Sequence, residues 1–181
     1  MKKRIIVMAA LVLIGSALFA QTFRLETYNN SNSGGDSSIE VKETTETING
    51  KAVTVWVFSG KLTRSVRFPF AGCKIIPDAA TLALFRNAKG VSFMSSGDGR
   101  KYRVKVITPG GGGNNYGDSF TAAKGNGKEV KLEYGKMKQD PYWGEKKDFI
   151  AGGITELEVQ FANNAPVDRF EFRIWDFKPL N

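Results

Sequence analysis

Short runs in which apolar and polar residues alternate occur along most of this chain. Residues 156–161 read ELEVQF, so that apolar residues take every second position and acidic or amide residues the positions between them. Residues 170–174 (FEFRI) repeat the pattern, and residues 53–58 (VTVWVF) keep it with large apolar side chains on both faces. A period of two places successive side chains on opposite faces of a β-strand. The alternation therefore predicts strands, and it predicts a strand inside a two-layer structure at residues 53–58.

The alternation and the turn residues between its runs predict about eight strands, at residues 39–46, 53–62, 91–94, 102–108, 118–123, 129–135, 154–161 and 169–177. Asn49-Gly50 separates the first two and is a strong signal for a two-residue hairpin turn. One candidate helix, at residues 80–90, ends at Gly90, which we expect to cap it. Residues 64–78, rich in Pro, Arg and Phe, are typical of a loop. The prediction is an all-β fold, an antiparallel β-sandwich with at most one short helix.

The N-terminus has the pattern of a secretory signal peptide. Residues 1–20 begin with three cations, continue with an apolar run and end in small residues. We expect cleavage after Ala20 and a periplasmic or secreted mature protein; the alternative is an uncleaved anchor, for which the run is short. No later run is long enough to span a membrane. Residues 21–38 predict a flexible polar lead-in, and residues 39–181 a single binding domain.

Composition excludes several classes of function. The chain has no His, which removes the usual partner of Ser and Cys nucleophiles and the commonest zinc ligand. No spacing of the acidic residues suggests a carboxylate pair for glycoside cleavage, so we predict that the protein is not an enzyme. After loss of the signal peptide, 23 Lys and Arg would remain against 18 Asp and Glu, a net charge of +5. These charges are scattered, which argues against a nucleic-acid partner.

The single cysteine, Cys73, has no partner for a disulfide within the chain. It lies between apolar runs, which favours a small buried core residue over a nucleophile or an intermolecular link.

Three motifs in order carry a family resemblance. They are Gly97-Asp98-Gly99 with Tyr102, the segment from Gln139 to Gly144, and Trp175-Asp176-Phe177. Over residues 39–180 the chain resembles the galactose-binding-like jelly roll, and within it the complex I intermediate-associated protein family and the family 11 carbohydrate-binding modules. Residues 110–115 (GGGGNN) depart from the pattern. The resemblance implies a jelly-roll β-sandwich that binds or assembles and needs no cofactor. It also suggests a structural calcium ion, with Asp36 and Asp176 as candidate ligands.

The segment around Gly97–Tyr102 admits two interpretations. In the first, Gly97 and Gly99 supply the positive φ of a tight turn, which Asp98 caps; residues 102, 104 and 106 face the core and Arg103 and Lys105 face water. In the second, the same cations lie on a concave sheet face and bind a polar ligand. Sugar binding also needs aromatic platforms. The candidate ligand-binding residues are therefore Arg103, Lys105, Tyr116, Tyr142, Trp143, Arg173 and Trp175.

Trp143 is expected either to expose its ring in a loop or to plug the end of the sandwich. Glu171, Arg173 and Trp175 are expected to share an outward face if the last strand alternates regularly. Two functions follow. The first is an exported carbohydrate-binding module whose partner is a polysaccharide. The second is a structural or assembly protein that docks on an envelope protein, for example a component associated with the sheath of a periplasmic flagellum.

Overall fold

The protein is an all-β sandwich of two antiparallel sheets. The computed structural model describes residues 22–110, 114–142, 144–163 and 165–181, so the predicted signal peptide and Trp143 lie outside the described residues. The strands, in chain order, are β1 (Phe23–Asn29), β2 (Ser38–Ile48), β3 (Lys51–Leu62), β4 (Phe70–Pro77), β5 (Gly90–Gly97), β6 (Lys101–Thr108), β7 (Asn114–Thr121), β8 (Lys128–Glu133), β9 (Lys138–Gln139), β10 (Glu156–Ala162) and β11 (Val167–Leu180).

Six strands form sheet A, in the order β1-β4-β10-β6-β7-β9, and five form sheet B, in the order β2-β3-β11-β5-β8. One helix, α1 (Ala79–Arg86), and three short 3₁₀ turns (Ser31–Ser33, Tyr134–Lys136 and Ala151–Gly153) complete the described elements. Within the described ranges, no helix is both long and apolar enough to cross a membrane. The predicted fold class is confirmed.

The core lies between the sheets and is rich in aromatic rings. Phe58 of β3 stacks on Phe172 of β11 with ring centroids 4.6 Å apart, and Tyr102 of β6 in sheet A lies 3.9 Å from Phe172. Val104 and Leu157 of sheet A are fully buried in the same cluster. Because every second residue of each central strand enters this cluster, the positions between them must lie on the outer faces.

The structure corrects the predicted lead-in and loop. Part of residues 21–38 forms β1, which pairs with β4 along its whole length and packs Phe23 and Leu25 against the core. Residues 64–78, predicted as a loop, contain β4, which lies between β1 and β10. β4 (FAGCKIIP) carries Gly and Pro and lacks a clean alternation, so tertiary pairing decides its structure. β1 (FRLETYN) does alternate, but it is short and lies beside a polar, glycine-containing stretch.

The local turns and caps are partly as predicted. Asn49 and Gly50 both have positive φ (51° and 76°) and join β2 to β3, which confirms the hairpin. The helix α1 begins after Asp78, whose side chain accepts from the Thr81 N–H at 2.7 Å. The predicted cap at Gly90 is wrong: Asn87 ends the helix, and Gly90 starts β5, where a Cβ atom would overlap the Leu132 carbonyl oxygen.

Candidate ligand-binding faces

The cationic and aromatic residues predicted to form one surface lie on opposite sides of the sandwich. Arg103 and Lys105 belong to β6 in sheet A, whereas Arg173 and Trp175 belong to β11 in sheet B. Each set lies on the outer face of its own sheet, because the residues between them are buried in the core. The alternation within each strand is therefore as predicted, but a single combined site is excluded by the strand pairing.

The turn at residues 97–102 connects β5 of sheet B to β6 of sheet A, two strands that do not pair with each other, and it is held by Asp98. Its carboxylate accepts hydrogen bonds from the Arg100 N–H (2.9 Å), the Tyr102 hydroxyl (2.9 Å) and the Glu171 N–H (3.2 Å). Burial alone would raise the pKa of Asp98, but these hydrogen bonds, led by that of the Arg100 backbone, lower it. The turn therefore has the structural role of the first interpretation.

The two glycines of this turn, Gly97 and Gly99, have different roles. Gly99 has a φ of +84° and makes the turn, as predicted. The prediction for Gly97 is wrong, because its φ is not positive. Gly97 is instead required by close packing: a Cβ atom there would come within 2.8 Å of the Glu171 carbonyl oxygen.

An ion-pair network occupies the centre of the outer face of sheet A. Lys105 Nζ lies 2.7 Å from Glu158 Oε2, and the Tyr28 hydroxyl donates to the same oxygen at 2.8 Å. Lys74 donates to Glu156 at 3.1 Å beside it. Lys105 is only 9% exposed and Glu158 only 7%, so the prediction that Lys105 faces water is wrong. Two charges are thus buried on the face of the sheet that points away from the core.

Strand register explains how the network forms. Glu158 of β10 lies directly opposite Lys74 of β4 on one side and Lys105 of β6 on the other. Burial, followed by its hydrogen bond with Glu158, raises the pKa of Glu156. Burial would also raise the pKa of Glu158, but the Lys105 ammonium lowers it, so Glu158 is held as the anion. The network fixes the position and the charge of its members.

Two glycines make room on this face for side chains that lie flat on the sheet. Tyr28 lies across Gly72, where a Cβ atom would overlap the phenol ring. Arg103 lies across Gly117 in the same way, and its guanidinium donates to the Lys138 carbonyl at 3.2 Å and lies 3.7 Å from Asp140. The face is consequently flat and polar, with its side chains held by one another.

A cleft of about 420 Å³ opens at the end of this face where the 97–102 turn lies. Its polar lining comes from the start of β6, from β7 and from the end of β10, and consists of Arg100, Lys101, Arg103, Ser119, Gln160 and Asn163. Tyr28, Glu158 and Gln160 are contributors that sequence reasoning did not select. The alternation of residues 156–161 placed Glu158 and Gln160 on an outward face. Tyr28 could have been found from the alternation of residues 23–27 (FRLET), which lies beside a polar, glycine-containing stretch.

The outer face of sheet B is organised differently. Arg173 Nη1 lies 3.2 Å from Glu46 Oε1, with Arg173 and Glu46 side chains 41% and 34% exposed. Trp175 is half-buried and packs against Gly127, where a Cβ atom would overlap the indole. Val55, in the same cross-strand row as Trp175, is fully buried although it lies outside the core cluster. Outer-face side chains therefore cover Val55.

The two remaining aromatic candidates, Tyr116 and Tyr142, differ in burial. Tyr116 is buried, its ring centroid 5.1 Å from that of Phe149, and its hydroxyl donates to the Lys147 carbonyl at 2.7 Å. Its prediction as a ligand platform is wrong, because its parity on β7 turns it toward the core. Tyr142 is 86% exposed in the loop after β9.

The structure does not bring the two proposed calcium ligands together. Asp36 accepts from Thr63 and Ser65 beyond the end of β3, whereas Asp176 pairs with Lys178 near the β3 start. Among the described residues, no three His, Cys, Asp or Glu side chains cluster as a metal site would require. Cys73 is fully buried in the core, as favoured, and burial raises its pKa to about 12.

Comparisons with known proteins agree with this architecture. Residues 19–162 match the model of the family described as Complex I intermediate-associated protein 30 (CIA30). The fold is also similar to the family 11 carbohydrate-binding module of the cellulosomal cellulase Lic26A-Cel5E of Clostridium thermocellum, with 10% identity, a TM-score of 0.62, and 90% of this chain and 91% of that chain covered.

A second structure of the family 11 module from Clostridium thermocellum, in complex with a β-1,3-1,4-mixed-linked tetrasaccharide, gives 11% identity and a TM-score of 0.62 and covers 90% and 92% of the two chains. No curated protein matches the chain. The resemblance predicted from the sequence is confirmed, and the fold is a jelly roll.

Proposed function

Because the chain belongs to the complex I intermediate-associated protein 30 family and has the jelly-roll fold, we propose that it is a non-catalytic module that binds a polysaccharide through the outer face of sheet A. The observation that carries the proposal is the set of buried, mutually bonded polar groups on a face that points away from the core. The module in complex with a tetrasaccharide supports the choice of ligand class.

The physical argument rests on preorganisation. Burying the charges of Lys105 and Glu158 costs several kcal/mol in desolvation, and pairing offsets that cost only when the geometry is good. A fold that needed only stability would place apolar residues there. Sugar hydroxyls, in contrast, are oriented by a few polar groups held in fixed positions. Because Arg103, Tyr28 and their partners are already held flat, little further side-chain entropy is lost on binding.

The same geometry favours binding over catalysis. Glu156 and Glu158 are two residues apart on one strand and lie on the same face of the sheet. A glycosidase needs its two carboxyl groups on either side of the scissile bond, so this pair is poorly placed for that reaction. The signal-peptide pattern of residues 1–20 supports export to the periplasm or beyond the cell as part of this proposal.

A second candidate is docking on an envelope protein, and it rests on exposed apolar side chains at one end of the sandwich. Leu84 on α1 and Ile150, just before the 3₁₀ turn that contacts α1, are both exposed. Exposed apolar groups that cluster beside polar ones mark protein interaction sites when they form a contiguous patch.

Affinity measurements on a polysaccharide panel separate the two candidates. The protein and its Arg103→Ala and Gln160→Ala variants are compared with Arg173→Ala, a matched change on the other sheet. We expect the sheet A variants to weaken binding about tenfold or more, which corresponds to about 1.4 kcal/mol, and Arg173→Ala to bind normally. Equal losses in all three variants, or no retention on any polysaccharide, would overturn the proposal. Cross-linking to one envelope protein, lost in Ile150→Glu, would support docking instead.

A further inference from the structure

The cleft beside the 97–102 turn, at one end of sheet A, carries an unbalanced positive charge. Three of its polar lining residues, Arg100, Lys101 and Arg103, are cations, and none of its lining residues is acidic. The lining polar groups that are neutral, Ser119, Gln160 and Asn163, are hydroxyl and amide side chains. A cleft with this lining attracts an anion. At the centre of the same face, in contrast, each of the cations Lys74 and Lys105 is paired with a glutamate.

The three cations differ in how far they are already neutralised. Arg100 is bound to Asp98 at 2.8 Å. Arg103 lies 3.7 Å from Asp140, which is longer than a hydrogen bond, so its guanidinium can still donate to a ligand. Lys101 is exposed, and no ion pair joins it to another described residue.

A second cleft shows that this charge is not a general property of a basic chain. That cleft has a similar volume, about 380 Å³, and lies near Trp56 and Asp176. Its charged lining residues are Glu43 and Asp176, and no cation lines it. Two clefts of comparable size therefore carry opposite charge, and only the one on the outer face of sheet A favours anions.

We propose that the cleft beside the 97–102 turn binds an acidic saccharide unit, in which a carboxylate or a sulfate ester is the recognised group. This inference rests on the proposed function and names the class of glycan for the same face. Arg103 presents a planar fork of donors to the oxyanion, Lys101 supplies a compact point charge, and Gln160, Asn163 and Ser119 bond the ring hydroxyls. Because the cleft is open to solvent, the contribution of charge falls as ionic strength rises.

The experiment compares oligosaccharides of one backbone that differ only in charge: a neutral β-glucan oligosaccharide, its C6-oxidised uronate form and its sulfated form. Each is titrated at low and at high salt. We expect both acidic forms to bind about tenfold more tightly than the neutral one at low salt, with the difference reduced at high salt. A preference for one acidic form identifies the group that the cleft takes.

Charge variants test the residues. Lys101→Glu should remove the preference for acidic forms, whereas Lys51→Glu, an equally exposed lysine at the start of β3 in sheet B, should keep it. Arg103→Lys keeps the charge but removes the fork, and should weaken binding of the acidic forms more than binding of the neutral form. Thermal unfolding of each variant confirms that it is folded.

The outcomes distinguish the two proposals. Equal binding of neutral and acidic forms, unaffected by Lys101→Glu, would overturn the acidic class and leave the polysaccharide-binding function standing. Binding of none of the three forms, with a polysaccharide panel also negative, would overturn both. Retention of an acidic peptide in place of every saccharide would overturn the ligand class and leave only the anion preference.

Discussion

The outer face of sheet A buries an ion pair, whereas the outer face of sheet B keeps its ion pair in solvent. Lys105 and Glu158 have side chains only 11% and 9% exposed, while those of Arg173 and Glu46 are 41% and 34% exposed. The buried charges make the position of each group on sheet A depend on its neighbours. On sheet B, water screens the pair, and the two long side chains retain more freedom. The comparison favours the outer face of sheet A as the one that we propose to bind a ligand.

Both faces also use glycine to accommodate an aromatic ring, with different consequences. Gly72 allows Tyr28 to lie flat, and the Tyr28 hydroxyl then donates to Glu158. Gly127 allows Trp175 to pack close to the chain between β7 and β8. The ring on sheet A is thus part of the ionic network, whereas the ring on sheet B covers apolar surface.

The largest expected effect comes from breaking the ion pair of sheet A. Glu158→Ala leaves the Lys105 ammonium buried without its partner, which should lower the free energy of unfolding by about 3–5 kcal/mol. The matched change on sheet B, Glu46→Ala, should cost less than about 1 kcal/mol because the pair is screened. Urea unfolding at pH 7 measures both. Similar losses in the two variants would remove the difference between the faces.

A double replacement sharpens the same comparison. Lys105→Met with Glu158→Leu removes both charges together, so no unpaired group remains. Stability should recover to near or above that of the unaltered protein, since apolar residues of similar volume replace a buried ion pair without loss. Binding of polysaccharide should nevertheless fall. A double variant that is stable and binds normally would show that the network has no part in recognition.

The next largest effect concerns the glycine under Tyr28. In Gly72→Ala the added methyl group must displace the phenol ring, which breaks its hydrogen bond to Glu158 and should cost about 1–3 kcal/mol. In a Tyr28→Ala background the same glycine change should cost much less, because the overlapping ring is absent. A double-mutant cycle measured by thermal unfolding gives this coupling. Additive effects would contradict the packing of Tyr28 on Gly72.

The smallest effect concerns the 97–102 turn, which connects the two sheets. The folded-state pKa of Asp98 is lowered, so its contribution to stability is present above the ordinary aspartate pKa of about 3.9 and is lost as pH falls below it. Asp98→Asn should therefore cost about 1 kcal/mol at pH 7 and less at pH 3. Urea midpoints at both pH values measure this. A loss that is the same at both would show that the carboxylate charge contributes nothing.

Local features of the chain were predictable because they depend on neighbours in sequence. The parity of residues 156–161 and of 170–175 assigned core and outward positions correctly, and Asn49-Gly50 indicated its hairpin. The parity fails after Trp175, because Asp176 has a φ of +52° and Phe177 returns to the core. The motifs around Asp98 carried the family resemblance, which the family model confirms. In each case a period of two or a turn with positive φ acts within a few residues.

Which faces those residues join was decided only in the tertiary structure. Arg103 and Arg173 have the same outward parity, yet strand pairing over long range places them on different sheets. Lys105 is buried because Glu158, 53 positions later in the chain, lies opposite it, and Tyr28 joins them from β1, 130 positions before Glu158. The sequence by itself therefore determined the direction of each side chain where its strand alternates regularly. Its neighbours and its burial depended on hydrogen-bonded pairing between distant segments, which no local pattern encodes.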